Sequence, residues 1–542
     1  MKKKFGDGSL SLIFIWFAVV IFFAVCIIFP LFCVAITPRA SDFVQAATSS
    51  RWHDAMRNTA LECLCSTLLS VITGYIYAYA VVRGGIPFKK IFSLVPIIHL
   101  VTPPFVGGLA FILLIGRQGF ITHTLLGLDI SLYGFPGLLI AQTLTFFPMA
   151  YLICAQSLRG INPSMEQAAR GMGAGRLNIF FKITLPLSSP GILSALLFIA
   201  VSVLSDFGNP LIVAGRFRVL AVEIYTQLTG WLNAGTSAIL GMILLIPSII
   251  LFILQNKTLT KEKAKVATIG GKTQMQIPVQ PSKCAKVLLT IFCAVISLAV
   301  IAQFAAIIAG SIQKVWGVNT APTFDHIKKI GRWIPELRNT IFYALLGAAL
   351  STTLATVTAY LSQRTTVPLK PLLDAAAQIP AAIPGSLFGL ALSLAANKLS
   401  VRVPPLLIAI SMGVMFMPFC YRVVSTGFSH IKPTLDDGAA SLGANRRQTL
   451  ATIILPLSAS SIFSAFIYAF VRGVGTVSAV IFLVSFNTHL SSITILNLAE
   501  QGDWGQAASL ALTLTILTFA VLGAGYAATQ SIAKKHGGQN AN

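Results

Sequence analysis

Long apolar runs recur from one end of this chain to the other, and they leave it few folds to choose from. A stretch longer than about 18 residues with few charges is a candidate transmembrane helix. About twelve such runs can be drawn. They lie near 10–36, 59–82, 91–115, 135–157, 191–213, 236–255, 287–311, 340–362, 371–397, 405–427, 459–486 and 509–532. They are helix-length, unlike the roughly ten-residue alternating segments of a membrane barrel. Composition agrees: 10% of residues are charged, against about 25% in soluble proteins. The expected fold class is an all-α polytopic membrane protein in a lipid bilayer. Lys2, Lys3 and Lys4 ahead of an apolar run imitate a secretory leader. The run of about 27 residues is too long for a leader's apolar region, so it reads as a retained first helix.

The net charge of +23 invites a nucleic-acid partner, but its placement argues against one. With the N-terminus inside, most Lys and Arg residues fall on the cytoplasmic side, as the positive-inside bias requires. They cluster at Lys2–Lys4, at Arg83, Lys89 and Lys90, in the 256–286 stretch, and at Lys534 and Lys535. The outer loop 312–338, with Lys314, Lys328, Lys329, Arg332 and Arg338, runs against that bias. Its Trp316 and Trp333 suit a membrane boundary. Both termini are then expected on the cytoplasmic side of the membrane. Eight cysteines, nearly all within apolar runs, form no CxxC pair. They read as small hydrophobes, and neither a disulfide nor a metal site is expected.

The chain repeats itself. Glu166 to Leu187 and Asp436 to Leu457 are polar islands with nearly the same order of residues. Arg51-Trp52 with Arg57-Asn58-Thr59 recurs as Arg332-Trp333 with Arg338-Asn339-Thr340. Phe146-Phe147-Pro148 recurs as Phe416-Met417-Pro418. Early landmarks are offset by about 281 positions and later ones by about 270, so two related halves are expected. Each holds six spans, so both insert the same way, with a pseudo-two-fold axis along the membrane normal. The expected division is 1–255, a cytoplasmic linker 256–286, and 287–542. Gly271-Lys272-Thr273 in the linker is only a fragment of a phosphate-binding loop. Val266 stands where its first glycine is needed.

Each polar island reads as a helix–turn–helix. Asn162-Pro163 suits a helix start, and Gly173 suits a left-handed stop. Leu185-Pro186 is expected to break the second helix before the next span. Lys432-Pro433-Thr434, Gly443 and Leu455-Pro456 repeat the plan. Small residues (Ala168, Ala169, Ala174, and in the second copy Ala439 and Ala444) allow close approach by another chain, and a short helix so presented fits a partner's groove.

These islands resemble the EAA loops of ABC importer permeases, and the chain as a whole resembles two such permease units fused. Gln167 stands at the second position of the first copy, and Asp436 and Asp437 replace Glu and Ala in the second. The resemblance implies a type I, binding-protein-dependent importer. A cytoplasmic ABC ATPase homodimer would dock on the two loops, and an extracytoplasmic solute-binding protein would deliver cargo. The docking residues it implies are Glu166, Ala168, Ala169, Gly173, Ala174, Leu185 and Pro186, with Asp436, Ala439, Gly443, Ala444, Leu455 and Pro456. The chain itself would bind no cofactor and catalyse nothing, since ATP is hydrolysed by its partners.

Charged groups inside spans are costly and usually functional. Asp206, in Ser205-Asp206-Phe207-Gly208, and Arg472, in Val471-Arg472-Gly473, occupy equivalent spans, which in related permeases line the translocation pathway. They either line it here, with Phe207, Gly208 and Gly473, or satisfy each other and fix packing. Glu62 stands apart and reads as structural. The segment from Asp206 to Tyr225 resembles the fused permeases of ferric-iron uptake, whose relatives carry aminoethylphosphonate and sugar phosphates. Arg216 and Arg218 would then face the outer mouth. Ferric iron ranks first as cargo and an organophosphorus anion second. A secondary transporter of twelve spans is the remaining alternative, and it leaves the matched loops unexplained.

Overall fold

The computed structural model describes residues 9–128, 132–269, 278–401 and 403–537. Lys2–Lys4 and the Gly271-Lys272-Thr273 fragment lie outside them. The fold is helical except for one antiparallel ribbon among the described residues, Gln313–Val315 with Asn319–Pro322. Among the described residues eleven helices are long and apolar enough to cross a membrane, and a sharply bent helix pair is either a twelfth, broken span or a re-entrant loop.

The first half runs α1 (Leu12–Ile36), α2 (Ser50–Val82), α3 (Lys89–Val101), α4 (Pro104–Ile115), α5 (Phe135–Gly160), α6 (Pro163–Gly171), α7 (Arg176–Leu204) and α8 (Ala234–Ile269). The second runs α9 (Lys283–Ile312), α10 (Ile334–Arg364), α11 (Lys370–Gln378), α12 (Gly385–Lys398), α13 (Pro404–Ser429), α14 (Thr434–Ser441), α15 (Arg446–Val474) and α16 (Trp504–Gly537). Helix α8 continues to Ile269, through the first part of the stretch expected to be a connector.

Within each half the same three helices form the bundle: α2, α5 and α7 in the first, α10, α13 and α15 in the second. Small residues let their backbones meet, as lipid-embedded helices require. A Cβ on Gly74 of α2 would lie 2.6 Å from the Cβ of Ala150 and 2.7 Å from the amide nitrogen of Tyr151. The halves exchange their leading helices. The end of α1 (Phe29–Ile36) packs on α12, and α9 packs on α4. Each first helix thus leans on the partner half.

Three sequence expectations are corrected. The runs 91–115 and 371–397 are not straight spans. Thr102-Pro103 and Ile383-Pro384 are extended at matched points, because a residue before proline is pushed out of the helical region. The two limbs of the second pair meet at 107°. Second, Leu185-Pro186 and Leu455-Pro456 do not stop the preceding helix. A π turn at Phe180–Thr184, and its twin at Leu450–Ile454, carry the chain into one continuous span. Proline lacks an N–H and crowds the carbonyl four residues back. The wider turn, with Leu185 N–H bonded to Phe180 C=O, absorbs both defects. Third, the runs 191–213 and 459–486 leave the helix early, at Ser205 and Gly475.

The repeated Arg-Asn-Thr landmark clamps the loop that returns after this exit. Thr59 Oγ1 accepts the Leu220 N–H at 2.9 Å, and Asn58 donates to the Arg218 carbonyl. Thr340 Oγ1 accepts the Ser491 N–H at 2.8 Å, and Asn339 donates to the Asn487 and His489 carbonyls.

Candidate functional site

The two matched loops share one face of the bundle and one local design. In the first, Asn162 accepts the Ser164 N–H and starts α6. Gly173, with φ of 88°, ends it. The Gly173 N–H bonds to the Arg170 carbonyl and the Ala174 N–H to the Ala169 carbonyl, the paired arrangement that a left-handed residue after a helix closes. Gly443, with φ of 81°, repeats it, with bonds from Gly443 to Ala440 and from Ala444 to Ala439. Pro433 replaces the asparagine cap in the second copy, without a side-chain bond. From Gly171 to Phe180 and from Ser441 to Leu450 the order of exposed and buried positions is identical.

Each loop is pinned to the bundle by an arginine. Arg83, at the end of α2, pairs with Glu166 at 2.8 Å and donates to the Leu158 and Ile161 carbonyls. Arg364, at the end of α10, pairs with Asp436 at 2.8 Å and donates to the Phe428 and Ile431 carbonyls. The carbonyls lie where α5 and α13 end, so one guanidinium closes a helix terminus and holds the next loop. Glu166 is buried, and it also accepts from Thr184 Oγ1 and from the Val279 N–H. Ala169 and Ala439 are buried beneath the loops, while Ala168 is exposed. What the loops present outward is apolar: Met172 is 83% exposed and Leu442, its counterpart, 90%.

The loops differ also in what reaches them from the stretch joining the halves. The peptide of Val279, from the stretch joining the halves, lies on Glu166, and its side chain is buried with Ala169 and Ile179. Among the described residues no such strap reaches Asp436, whose Oδ1 is buried without a hydrogen-bond partner.

A cavity of about 240 Å³ opens between the halves. Asp206, Phe207 and Gly208 border it from the first half, Arg422, Tyr468 and Arg472 from the second. Gly473, expected with them, packs instead against Ala344 of α10. Asp206 and Arg472 do not form an ion pair. Asp206 Oδ2 accepts from Gln142 Nε2 at 3.0 Å and Asn209 Nδ2 at 2.9 Å, and Oδ1 accepts the Asn209 N–H. Gln142 also donates to Glu62 at 2.7 Å, so Glu62 is not the isolated residue its sequence context implies. Arg216 and Arg218 are exposed beyond the exit of α7, and Arg218 is drawn toward Glu223 at 3.7 Å.

Sequence reasoning missed Arg83 and Arg364 as loop anchors, reading Arg83 only as part of a charge bias. Their spacing, the same as that of the Arg-Asn-Thr landmarks, was the available signal. Gln142 and Arg422 carried none, because a single polar residue in an apolar run shows its partners only after folding.

The family described as "Binding-protein-dependent transport system inner membrane component" matches residues 68–259 and 351–529. The ferric transport system permease protein FbpB of Actinobacillus pleuropneumoniae is 32% identical over 80% of this chain and 64% of its own length. The putative ferric transport system permease protein FbpB 1 of Haemophilus influenzae is 32% identical over 77% of this chain and 68% of its own. The chain thus spans about two thirds of the length of these relatives. The molybdenum transport system permease protein ModB of Escherichia coli K12 is 31% identical over 33% of this chain and 80% of its own.

Proposed function

Because this chain belongs to the family of binding-protein-dependent transport system inner membrane components, we propose that it is the membrane-spanning permease of an ATP-binding-cassette importer of ferric iron. The observation that carries the motor half of this reading is the pair of arginine-pinned loops with matched geometry on one face. On this reading that face is cytoplasmic, with both termini on the same side. A homodimeric ATPase receives the two loops, with Met172 and Leu442 entering its grooves. A solute-binding protein delivers cargo to the opposite face. The partners hydrolyse ATP, and closure of the ATPase dimer draws the loops together and tilts the halves. The choice of iron rests on the two ferric permeases in the comparison. A second reading, import of an organophosphorus anion, draws on the guanidinium of Arg472 in the cavity.

The test is uptake of radiolabelled iron into proteoliposomes holding the permease, its ATPase and its binding protein. ATP-dependent accumulation is the expected result. Uptake driven by an ion gradient without ATP would overturn the reading. Replacing Met172 and Leu442 together by aspartate should strip the ATPase from the purified complex while leaving the permease in the membrane, measured by copurification. Full retention of the ATPase would remove the loops from the docking role.

A further inference from the structure

Three arginines that brace the fold among the described residues each have a carboxylate beside them. Arg83 has Glu166, Arg364 has Asp436 and Arg51 has Glu223, each at 2.8 Å. The two arginines that border the cavity between the halves do not. Among the described residues, neither Arg422 nor Arg472 makes an ion pair. Arg422 donates to Asn256 Oδ1 at 3.0 Å, and Arg472 lines the cavity beside Tyr468, one turn back on the same helix. Both neighbours are neutral, and each guanidinium has five N–H donors to place.

The cavity's own carboxylate forms no ion pair with them and counters one charge of the two. Asp206 is held by the side-chain amides of Gln142 and Asn209 on the other half. Tyr468 is itself fixed, stacked on Phe419 with ring centroids 3.6 Å apart. Two half-buried cations therefore face the cavity with Asp206 across it as the one facing carboxylate among the described lining residues, and neither pairs with it. Such a charge is costly unless something mobile neutralises it, and planar guanidinium forks match oxyanions best.

We propose that Arg422 and Arg472 form a small-oxyanion site in the translocation cavity, so that iron crosses together with an anion rather than bare. The proposal rests on the iron reading only for the identity of the cation. A bare trivalent ion would meet repulsion from the second-half wall. An ion whose outer sphere is occupied by phosphate, carbonate or citrate presents oxygen atoms to the guanidinia instead. Asp206, on the first-half wall, remains on the cation's side. The same site also fits an oxyanion travelling alone, and labelling both ions separates the two sources.

The experiment uses the complete complex in proteoliposomes, with radiolabelled iron and, in parallel arms, radiolabelled phosphate, carbonate or citrate. Iron and one labelled anion are expected to enter in a fixed ratio. Arg472→Gln and Arg422→Gln should each lower uptake of both labels about tenfold, the value of one lost charge-assisted hydrogen bond. ATPase and binding protein should still copurify with both variants. Arg472→Lys keeps the charge but loses the planar fork, and should retain more uptake than Arg472→Gln and less than the native chain. Anion entering without iron leaves the oxyanion site standing and removes the iron reading. Iron entering with none of the three anions overturns the oxyanion site and leaves the iron reading. Equal impairment of the lysine and glutamine variants also overturns it, because the positive charge at position 472 would then contribute nothing.

Discussion

Arg83 and Arg364 occupy equivalent positions and do equivalent work, yet they work in different surroundings. The Arg83–Glu166 pair is almost fully buried, with side chains 3% and 2% exposed, whereas Asp436 beside Arg364 is 30% exposed. Removing one member of a buried pair strands the other charge, at a cost of about 3–5 kcal/mol. Water screens the second pair and lowers its value. Arg83→Met should therefore lower the midpoint of thermal unfolding in detergent more than Arg364→Met does. The reverse order would mean that the strap and Thr184, not the arginine, hold Glu166. At this scale the sequence was half legible. Glu166 and Asp436 stood out because their context repeats. Their roles did not, since a conspicuous acid in a polar loop reads as exposed until a buried cation is found 83 and 72 positions away. The same holds for Glu62, whose bond to Gln142 crosses from α2 to α5.

Glycine serves the helices and their connections in two opposed ways. Gly173 stands in open space, with nothing within 4 Å of where a Cβ would sit, but its φ of 88° suits no L side chain. Gly74 has ordinary helical geometry, but a Cβ there would strike α5. Gly173→Ala should cost about 1–2 kcal/mol of local strain and leave a well-folded, monodisperse protein. Gly74→Val should force α2 and α5 apart and abolish monodisperse elution in size-exclusion chromatography, since the backbone of Tyr151 cannot yield as a side chain can. Normal elution of the valine variant would show that the two helices have room to spare. The helices themselves were plain from hydrophobic run length. Their interruptions were not. Leu185-Pro186 looks like a stop, and a π turn makes it a passage; Thr102-Pro103-Pro104 looks like one imperfection in a span, and it is a full break. Proline marks both places, but the wider packing decides how the chain accommodates it.

Across the whole molecule, the two halves are bound by exchange rather than by a single seam. Helix α1 leans on α12 and α9 leans on α4, so each half is completed by the other. A chain divided within 270–277 should yield two fragments that copurify when expressed together and fail to accumulate when expressed singly. Stable accumulation of either fragment alone would mean that the exchanged helices are dispensable to the core. The duplication was visible in the sequence through its landmarks, and so was its parallel sense, because six spans return the chain to its starting side. The exchange was not visible: apolar helices facing lipid and apolar helices facing a sister half have the same composition.

The Val279 peptide, fastened to Glu166, turns the connecting stretch into a leash of known reach. About ten residues separate it from the end of α8 at Ile269, and a chain of that length stretches to at most about 35 Å. However far the lower tip of α8 swings during a working cycle, it stays inside that radius of the first elbow. Among the described residues no equivalent peptide bonds to the second elbow, so this limit on distance belongs to the first alone.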